Sequence, residues 1–328
     1  MKLTIREIAK LADVSITTVS LILNGKGDRF SDETKRKVFK VVEENHYTPN
    51  YFASNIIKKK SQLIGIVVPT IKEPFAATLI NLIQKELSQK NYHLITSESF
   101  GEMEEEKKIL ERYAQFSVEA IFCFTGTVFP SEWFKGGCFQ EIPVVFIDKG
   151  INHSPYGNVY LNEYETVFKA MEWLIEKGHQ KIGLIKDNGI EFSFPERGKA
   201  YKDALQKHGI PINDKRITST DFSVESGYLG AQKIMKNSEV TAIFCSDDNL
   251  ALGCYQAVFD SGKRVNEEIE IIGFDGIELL KNIRPQIKTL ENPFEEFAHI
   301  LSYKVLQAIN HPKEKQEDCY LEMTFNLD

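Results

Sequence analysis

Apolar positions in the first sixty residues recur at three- and four-residue spacing in short bursts, the signature of small amphipathic helices. Ile5, Ile8, Ala9 and Ala12 predict a first helix of about two turns. Thr4-Ile5-Arg6-Glu7 has the form of a capping box, and Leu3 and Ile8 fall at the positions of a hydrophobic staple. A second helix starts at Ser15, with Val14 and Val19 as its staple and Val19, Ile22 and Leu23 on its inner face. Only Asp13-Val14 lies between the two, enough for a tight turn and a steep crossing. Ser31-Asp32-Glu33 opens a third helix, with Val38, Val41 and Val42 turned inward and Lys35, Arg36, Lys37 and Lys40 outward. Residues 47–61 form a linker. Thr48 caps, Pro49 takes the first helical position, and the helix runs to about Ile57 before Lys58-Lys59-Lys60. At roughly nine residues it is too short to persist alone, so it is expected to fold only against something else.

From residue 62 the pattern changes to short, nearly continuous apolar runs separated by helix-length stretches. Leu63–Val68, Tyr92–Thr96, Ala120–Phe124, Val144–Ile147, Ile182–Ile185, Ala242–Cys245 and Ile269–Phe274 read as strands. Ala77–Gln89, Glu102–Gln115, Glu163–Lys177 and Val224–Lys236 read as helices between them. Such alternation implies parallel sheets covered on both faces. Two sheets are expected, with a change of lobe near residue 162 and a return near 292. Ligands of wound sheets bind beyond the carboxyl ends of strands. Those ends bring up Pro69-Thr70 with Pro74-Phe75, then Asp148, Asp187, Asp247-Asp248 and Asp275. Carboxylates accept hydrogen bonds from vicinal hydroxyls, and an aromatic ring stacks on the apolar face of a sugar. An aspartate at a strand end also serves as an ordinary helix cap, so each residue alone is weak evidence.

Charge separates the two regions. Residues 1–60 hold twelve Lys and Arg against seven Asp and Glu, a net +5; the remainder holds 28 against 40, a net -12, giving -7 for the 328 residues. A basic head on an acidic body points to a polyanion met by the head alone. Apolar residues make up 42% of the chain, yet no run approaches the roughly 20 needed to span a bilayer. No secretory leader is visible. The five cysteines (Cys123, Cys138, Cys245, Cys254 and Cys319) are scattered and never form C-x-x-C, which fits buried thiols in a reducing cytoplasm. The phosphate-loop, zinc-protease and nucleophile-elbow motifs are absent, so no enzyme is expected, and no cofactor or metal.

The run Ile5-Arg6-Glu7-Ile8-Ala9-Lys10-Leu11-Ala12-Asp13-Val14-Ser15-Ile16-Thr17-Thr18-Val19-Ser20, followed by Asn24, Tyr47-x-Pro49-Asn50 and Ala53, resembles the head of the lactose/galactose-repressor (LacI/GalR) family. The resemblance implies that the second helix enters the DNA major groove. Ile16, Thr17 and Leu21 would then face base edges, while Ser15, Thr18 and Asn24 touch phosphates. The expected DNA-binding set also takes in Thr4, Arg29 of the Gly25–Arg29 loop, Asn50, and Ile56 as an apolar wedge in the minor groove. Asp13 stands where the family usually has glycine, in a turn that a left-handed aspartate can also make. Ile16 and Leu21 replace hydrogen-bonding residues of many relatives, so contact with thymine methyls and an A·T-containing half-site are expected.

Over the body the resemblance is looser. Ile142–Asp148, Gly178-His179-x-Lys181-Ile182, Thr241–Cys245, Asp248 with Ala251-Leu252-Gly253, and Ile271–Asp275 stand where the family's periplasmic-binding-protein-like effector domain has its landmarks. It implies effector contacts from Phe75, Asp148, Arg197, Phe222, Asp247, Asp275 and Asn292. The expected architecture is a small all-α helix-turn-helix head (1–46), a hinge (47–61) and an α/β body (62–328). The body comprises two doubly wound parallel-sheet lobes, about 62–161 with 292–320 and about 162–291 with 321–328. The expected function is that of a sequence-specific DNA-binding regulator, a repressor of a carbohydrate-utilisation operon. Its partners would be double-stranded DNA bearing a pseudo-palindromic operator, a sugar or sugar phosphate, and a second copy of the chain. A dimer is expected because the final residues, Asn326-Leu327-Asp328, follow no leucine-rich heptad tail. Some members answer to a phosphocarrier protein, a partner the sequence leaves open. The competing reading is a transport binding protein or a sugar hydrolase with the same body; neither has a use for a helix-turn-helix head.

Overall fold

The computed structural model describes residues 3–48, 60–129, 142–150, 154–188 and 195–326, without the side chains of 126–128 and 148–150. The chain divides into two units, Met1–Ser61 and Gln62–Asp328.

Three helices make the head: α1 (Ile5–Leu11), α2 (Ile16–Leu23) and α3 (Asp32–Glu44). Ile8, Ala9, Ala12, Val19, Ile22 and Val38 are buried together, and Leu3, Val14, Val41 and Val42 pack against them. Each helix start is fixed by a polar side chain. The Glu7 carboxylate accepts from the backbone N–H of Thr4 at 2.6 Å and from its hydroxyl at 2.9 Å. Ser15 Oγ accepts from the Thr18 amide and Ser31 Oγ from the Thr34 amide. Asp13 turns the chain between α1 and α2 with φ of 53°, the left-handed conformation open to aspartate.

The body holds two six-stranded sheets. The first contains β1 (Leu63–Val68), β2 (His93–Glu98), β3 (Ala120–Val128), β4 (Val144–Gly150), β5 (Val159–Leu161) and β11 (Cys319–Leu321). Its order is β11-β5-β4-β3-β1-β2, and every pairing is parallel. The second contains β6 (Ile182–Asp187), β7 (Ile217–Thr220), β8 (Ala242–Cys245), β9 (Glu270–Asp275), β10 (Lys288–Glu291) and β12 (Thr324–Phe325). Its order is β12-β10-β9-β8-β6-β7, parallel except where β12 runs against β10. The chain passes between lobes three times: after β5, after β10, and between β11 and β12.

Helices cover both faces of each sheet. In the first lobe α4 (Pro74–Ser88) and α10 (Phe294–Asn310) bury Ile64, Ile66, Phe122 and Val145, while α5 (Met103–Gln115) buries Val67, Ile121 and Phe146. In the second, α6 (Glu163–Glu176) and α7 (Pro195–Lys207) cover Leu184, Phe244 and Phe274; α8 (Val224–Asn237) and α9 (Asp248–Asp260) cover Ile185, Ile243 and Ile271. Burial on both sides is why the strands read as unbroken apolar runs. The helices α8 and α9 approach closely enough that a Cβ on Gly253 would strike the Val224 carbonyl oxygen, and one on Gly227 would lie 2.5 Å from the Leu250 carbonyl oxygen.

The described structure departs from expectation at strand ends. β5, β7, β10, β11 and β12, each of two to four residues, were not anticipated. Asp148 lies inside β4, which runs on to Gly150, and Asp187 and Asp275 close β6 and β9 instead of following them, because ladder hydrogen bonding continues past the last apolar residue.

Candidate functional site

On the head, the N-terminal half of α2 is an open surface. Ser15, Ile16 and Thr17 are exposed, Thr18 and Leu21 half-buried, and Ile16 keeps 44% of its surface accessible. Ser15 and Thr18 share a hydroxyl–hydroxyl bond of 2.8 Å while Ser15 also caps the helix. Small groups on a helix N-terminus, where amide hydrogens and the helix dipole favour anions, allow close approach to phosphates and base edges. Asn24 caps the other end of α2, its Nδ2 donating to the Ser20 carbonyl at 2.7 Å. Thr4 is occupied with Glu7, as above. Arg29 is exposed and lies over the Phe30 ring, 4.9 Å from its centroid. Asn50 and Ile56, the remaining expected DNA contacts, lie outside the described residues, as do Pro49 and the rest of the hinge through residue 59.

In the body, a cavity of about 510 Å³ opens between the carboxyl ends of the two sheets. Each sheet reverses its winding beside its first strand (β1/β3 in one lobe, β6/β8 in the other), where wound sheets leave a crevice. The first lobe contributes aromatic walls. Phe75, at the start of α4, packs its ring 5.4 Å from Phe124 and 6.0 Å from Phe297, and all three line the cavity. The second lobe contributes charge: Arg197, Asp221, Asp247 and Asp275, with Phe222 and Asn249 beside them.

Arg197 is buried and tightly held. Its Nε and Nη2 donate to the two Glu163 carboxylate oxygens at 3.1 and 2.6 Å, and Nη1 donates to the Ser246 carbonyl at 2.6 Å. The guanidinium also stacks 3.6 Å over the Phe274 ring. Burial works against its charge, but the Glu163 carboxylate, with Asp275 and Asp247 behind it, offsets this and raises the guanidinium above its ordinary value. Asp247 has two roles. Its Oδ1 caps α9 by accepting from the Asn249 and Leu250 amides, while the residue lines the cavity. Burial, then the nearby Glu73 and Asp248 carboxylates, push the Asp247 carboxyl up to about 8.

Asp275 stands at φ 114°, a strained conformation for a residue with a side chain. Asn292 secures it: Nδ2 donates to Asp275 Oδ1 at 2.9 Å, and the Asn292 amide donates to the Asp275 carbonyl at 3.1 Å. Burial raises the Asp275 carboxyl well above the carboxylate range, against the opposing pull of Arg197.

Of the seven expected contacts, Phe75, Arg197, Phe222, Asp247 and Asp275 line this cavity. Asn292 does not line it; it is buried behind Asp275. The Asp148 side chain is not among those described, although its backbone pairs with Thr125 of β3 within β4. Asp248 and Asp187, also brought up by the strand-end reading, are not on the cavity wall. Asp248 is buried and accepts from the Gly276 and Ile277 amides and the Thr289 hydroxyl, fastening the turn after β9. Asp187 borders a separate cleft with Lys186 and Lys199. Sequence reasoning missed Glu73, Glu163 and Asp221. The last two follow β5 and β7, strands of three and four residues too short for an apolar run to mark their carboxyl ends.

Residues 4–50 match the family described as bacterial regulatory proteins, lacI family, and residues 171–326 match the periplasmic binding protein-like domain. The chain is 30% identical over 325 residues to the ribose operon repressor of Haemophilus influenzae, covering 98% of this chain and 96% of that protein. Among solved structures, it is similar to the Lac repressor dimer bound to operator and the anti-inducer ONPF, with a TM-score of 0.83 at 22% identity, covering 99% of this chain and 98% of that one. It is also similar to a regulator from Enterococcus faecium with bound ribose, with a TM-score of 0.73 at 25% identity, covering 80% and 96%.

Proposed function

We propose, on the premise that this chain belongs to the LacI family of bacterial regulatory proteins, that it represses a carbohydrate-utilisation operon and is switched by a small sugar-like effector bound between its lobes. The observation that carries this reading is the cavity itself. Aromatic rings from one lobe face hydrogen-bonding carboxylates from the other, the pairing of surfaces a sugar ring requires. One relative is a ribose operon repressor and another regulator holds bound ribose, and we extend that sugar chemistry to this chain.

Two protomers pair and present two α2 helices to successive major-groove turns of a pseudo-palindromic operator. Ser15, Thr18 and Asn24 meet phosphates, and Ile16, Thr17 and Leu21 meet base edges, with thymine methyls against the two apolar residues. The hinge at 47–61 folds on DNA and Ile56 wedges into the minor groove. An effector held by both lobes changes their relative angle and shifts the affinity for operator. By linkage, operator shifts the affinity for effector by the same factor. The protein acts in the cytoplasm, where the DNA is, and catalyses nothing.

Selection of source-genome fragments by the full chain at moderate salt, with and without a panel of sugars, tests the reading. We expect enrichment of a two-fold-symmetric site whose occupancy changes with one sugar and whose neighbouring genes handle that sugar. Absence of any enriched site in every condition would refute it.

A further inference from the structure

The wall of the inter-lobe cavity carries a residue that the fold does not require. Between β2 and α5 the chain turns through Ser99-Phe100-Gly101-Glu102, closed by the Glu102 amide donating to the Ser99 carbonyl at 3.0 Å. Phe100 and Gly101 both have positive φ, 55° and 73°, the sign pattern of a type I′ turn. Asparagine, aspartate or glycine suits the first of these positions, where a bulky side chain is strained. Burial does not compensate for that strain, because 66% of the Phe100 surface is accessible. Yet both residues line the cavity. Strained residues persist where firm surroundings hold them, and they gather at ligand clamps. The surroundings here are firm. The amides of Ser99 and Phe100 donate to the Val68 and Pro69 carbonyls at 2.9 Å, and the buried Ser99 hydroxyl reaches the Val68 carbonyl as well.

The lining of the cavity grades from buried to exposed. Arg197, Asp247 and Asp275 are buried, as are the rings of Phe124 and Phe297. Phe100, Lys72, Asp221 and Ser223 line the same cavity and are exposed. The Asp221 carboxylate accepts from the Ser223 amide at 2.9 Å and from its hydroxyl at 2.6 Å, which fixes an acceptor at the mouth. A volume of about 510 Å³ lies within the range of roughly 300–1,000 Å³ that takes a drug-sized ligand, and a single sugar ring leaves much of it unfilled. A monosaccharide seated among the buried groups also leaves the strained, exposed phenylalanine without a purpose.

Resting on the sugar-site reading above, we propose that the effector is a disaccharide, with one ring among the buried groups and the second laid by its apolar face on Phe100 at the mouth. Hydroxyls of the second ring donate to Asp221. Phe100 belongs to the first lobe and Asp221 to the second, so the outer ring touches both and helps to hold them together. The strain of the turn is then offset in the bound state alone, by the apolar area that the ring covers. An exposed phenylalanine is also the kind of residue that a second copy of the chain covers, and the test separates the two.

The test is calorimetric titration of the full chain with cellobiose, maltose, lactose, melibiose, sucrose and trehalose, each against its component hexoses, and with D-ribose. The expected result is that one disaccharide binds at least about tenfold tighter than either component. Phe100→Asn suits the turn better, so it should raise the unfolding temperature while bringing the disaccharide down to the affinity of its component. Phe100→Tyr keeps the ring and should stay within about threefold of the parent. A monosaccharide that binds as tightly as every disaccharide overturns the second ring but keeps the sugar reading. A disaccharide preference that survives Phe100→Asn overturns the role of Phe100, and a lowered unfolding temperature in that variant removes the strain on which the role rests. A variant that sediments as a monomer where the parent is a dimer places Phe100 in the contact between copies, and the proposal fails. Failure of every sugar to bind the parent removes the sugar reading together with the proposal built on it.

Discussion

Asp247 shows how one residue can satisfy two readings of its position. At the sequence level a strand-end aspartate is either a helix cap or a ligand contact; here Oδ1 caps α9 and the residue still faces the cavity. Phe75 and Asp275 were legible because each stood at a strand end, and Arg197 and Phe222 because their positions match the family's effector contacts. Glu163 was not, although it determines what Arg197 can do. The pair is buried, with side-chain exposures of 5% for Arg197 and 12% for Glu163. Removing one partner from such a pair leaves an uncompensated charge, at a cost of about 3–5 kcal/mol, while removing both is far cheaper. Urea unfolding should therefore show a larger loss for Glu163→Gln or Arg197→Gln than for the double variant per substitution. A double variant equal to the sum of the singles would mean that the two side chains do not act as a unit.

At the scale of elements, long apolar strands were readable and short ones were not. β1 and β8 match expectation residue for residue, since six and four consecutive apolar or glycine positions are buried on both faces. β5 and β11 are apolar but only three residues long, β7 and β10 mix polar and apolar residues over four positions, and all owe their pairing to neighbouring strands, a contribution that local pattern does not carry. The close contact between α8 and α9 was equally hidden, because glycine in a helix normally signals weakness. Here Gly227 and Gly253 let two backbones meet. Gly253→Ala should destabilise the body by about 1–3 kcal/mol despite alanine's better helix propensity. A rise in unfolding midpoint for this variant would show that the helices separate without cost.

For the whole molecule, the α/β class of the body and the helical head were both legible, because periodicity changes from helical to strand-like at one place in the chain. The balance of titratable groups was not, since it depends on which strand ends converge. Burial raises Asp247, Asp248 and Asp275 above the ordinary aspartate range. The unfolded value is about 3.9, so these groups favour the folded state while protonated. For Asp247 that contribution is complete below about pH 4 and is lost as pH rises through about 8. The ligand-free protein should accordingly unfold at lower temperature at pH 8 than at pH 6, and Asp247→Asn should flatten part of that slope. Thermal scans of parent and variant across this window decide it; parallel curves would mean Asp247 titrates as an ordinary surface carboxylate.

The three passages of the chain between lobes carry a consequence for biosynthesis. A ribosome delivers the head first, and its core from Leu3 to Tyr47 is self-contained. Neither sheet of the body is a continuous stretch. The first lacks α10 and β11 until residue 321 has emerged, and the second lacks β12 until residue 325. For most of its translation, therefore, the nascent chain carries a finished head on an unfinished body. Its parallel edges and apolar sheet faces wait for their last partners, which makes the emergence of β11 and β12 the moment at which both lobes can close their cores.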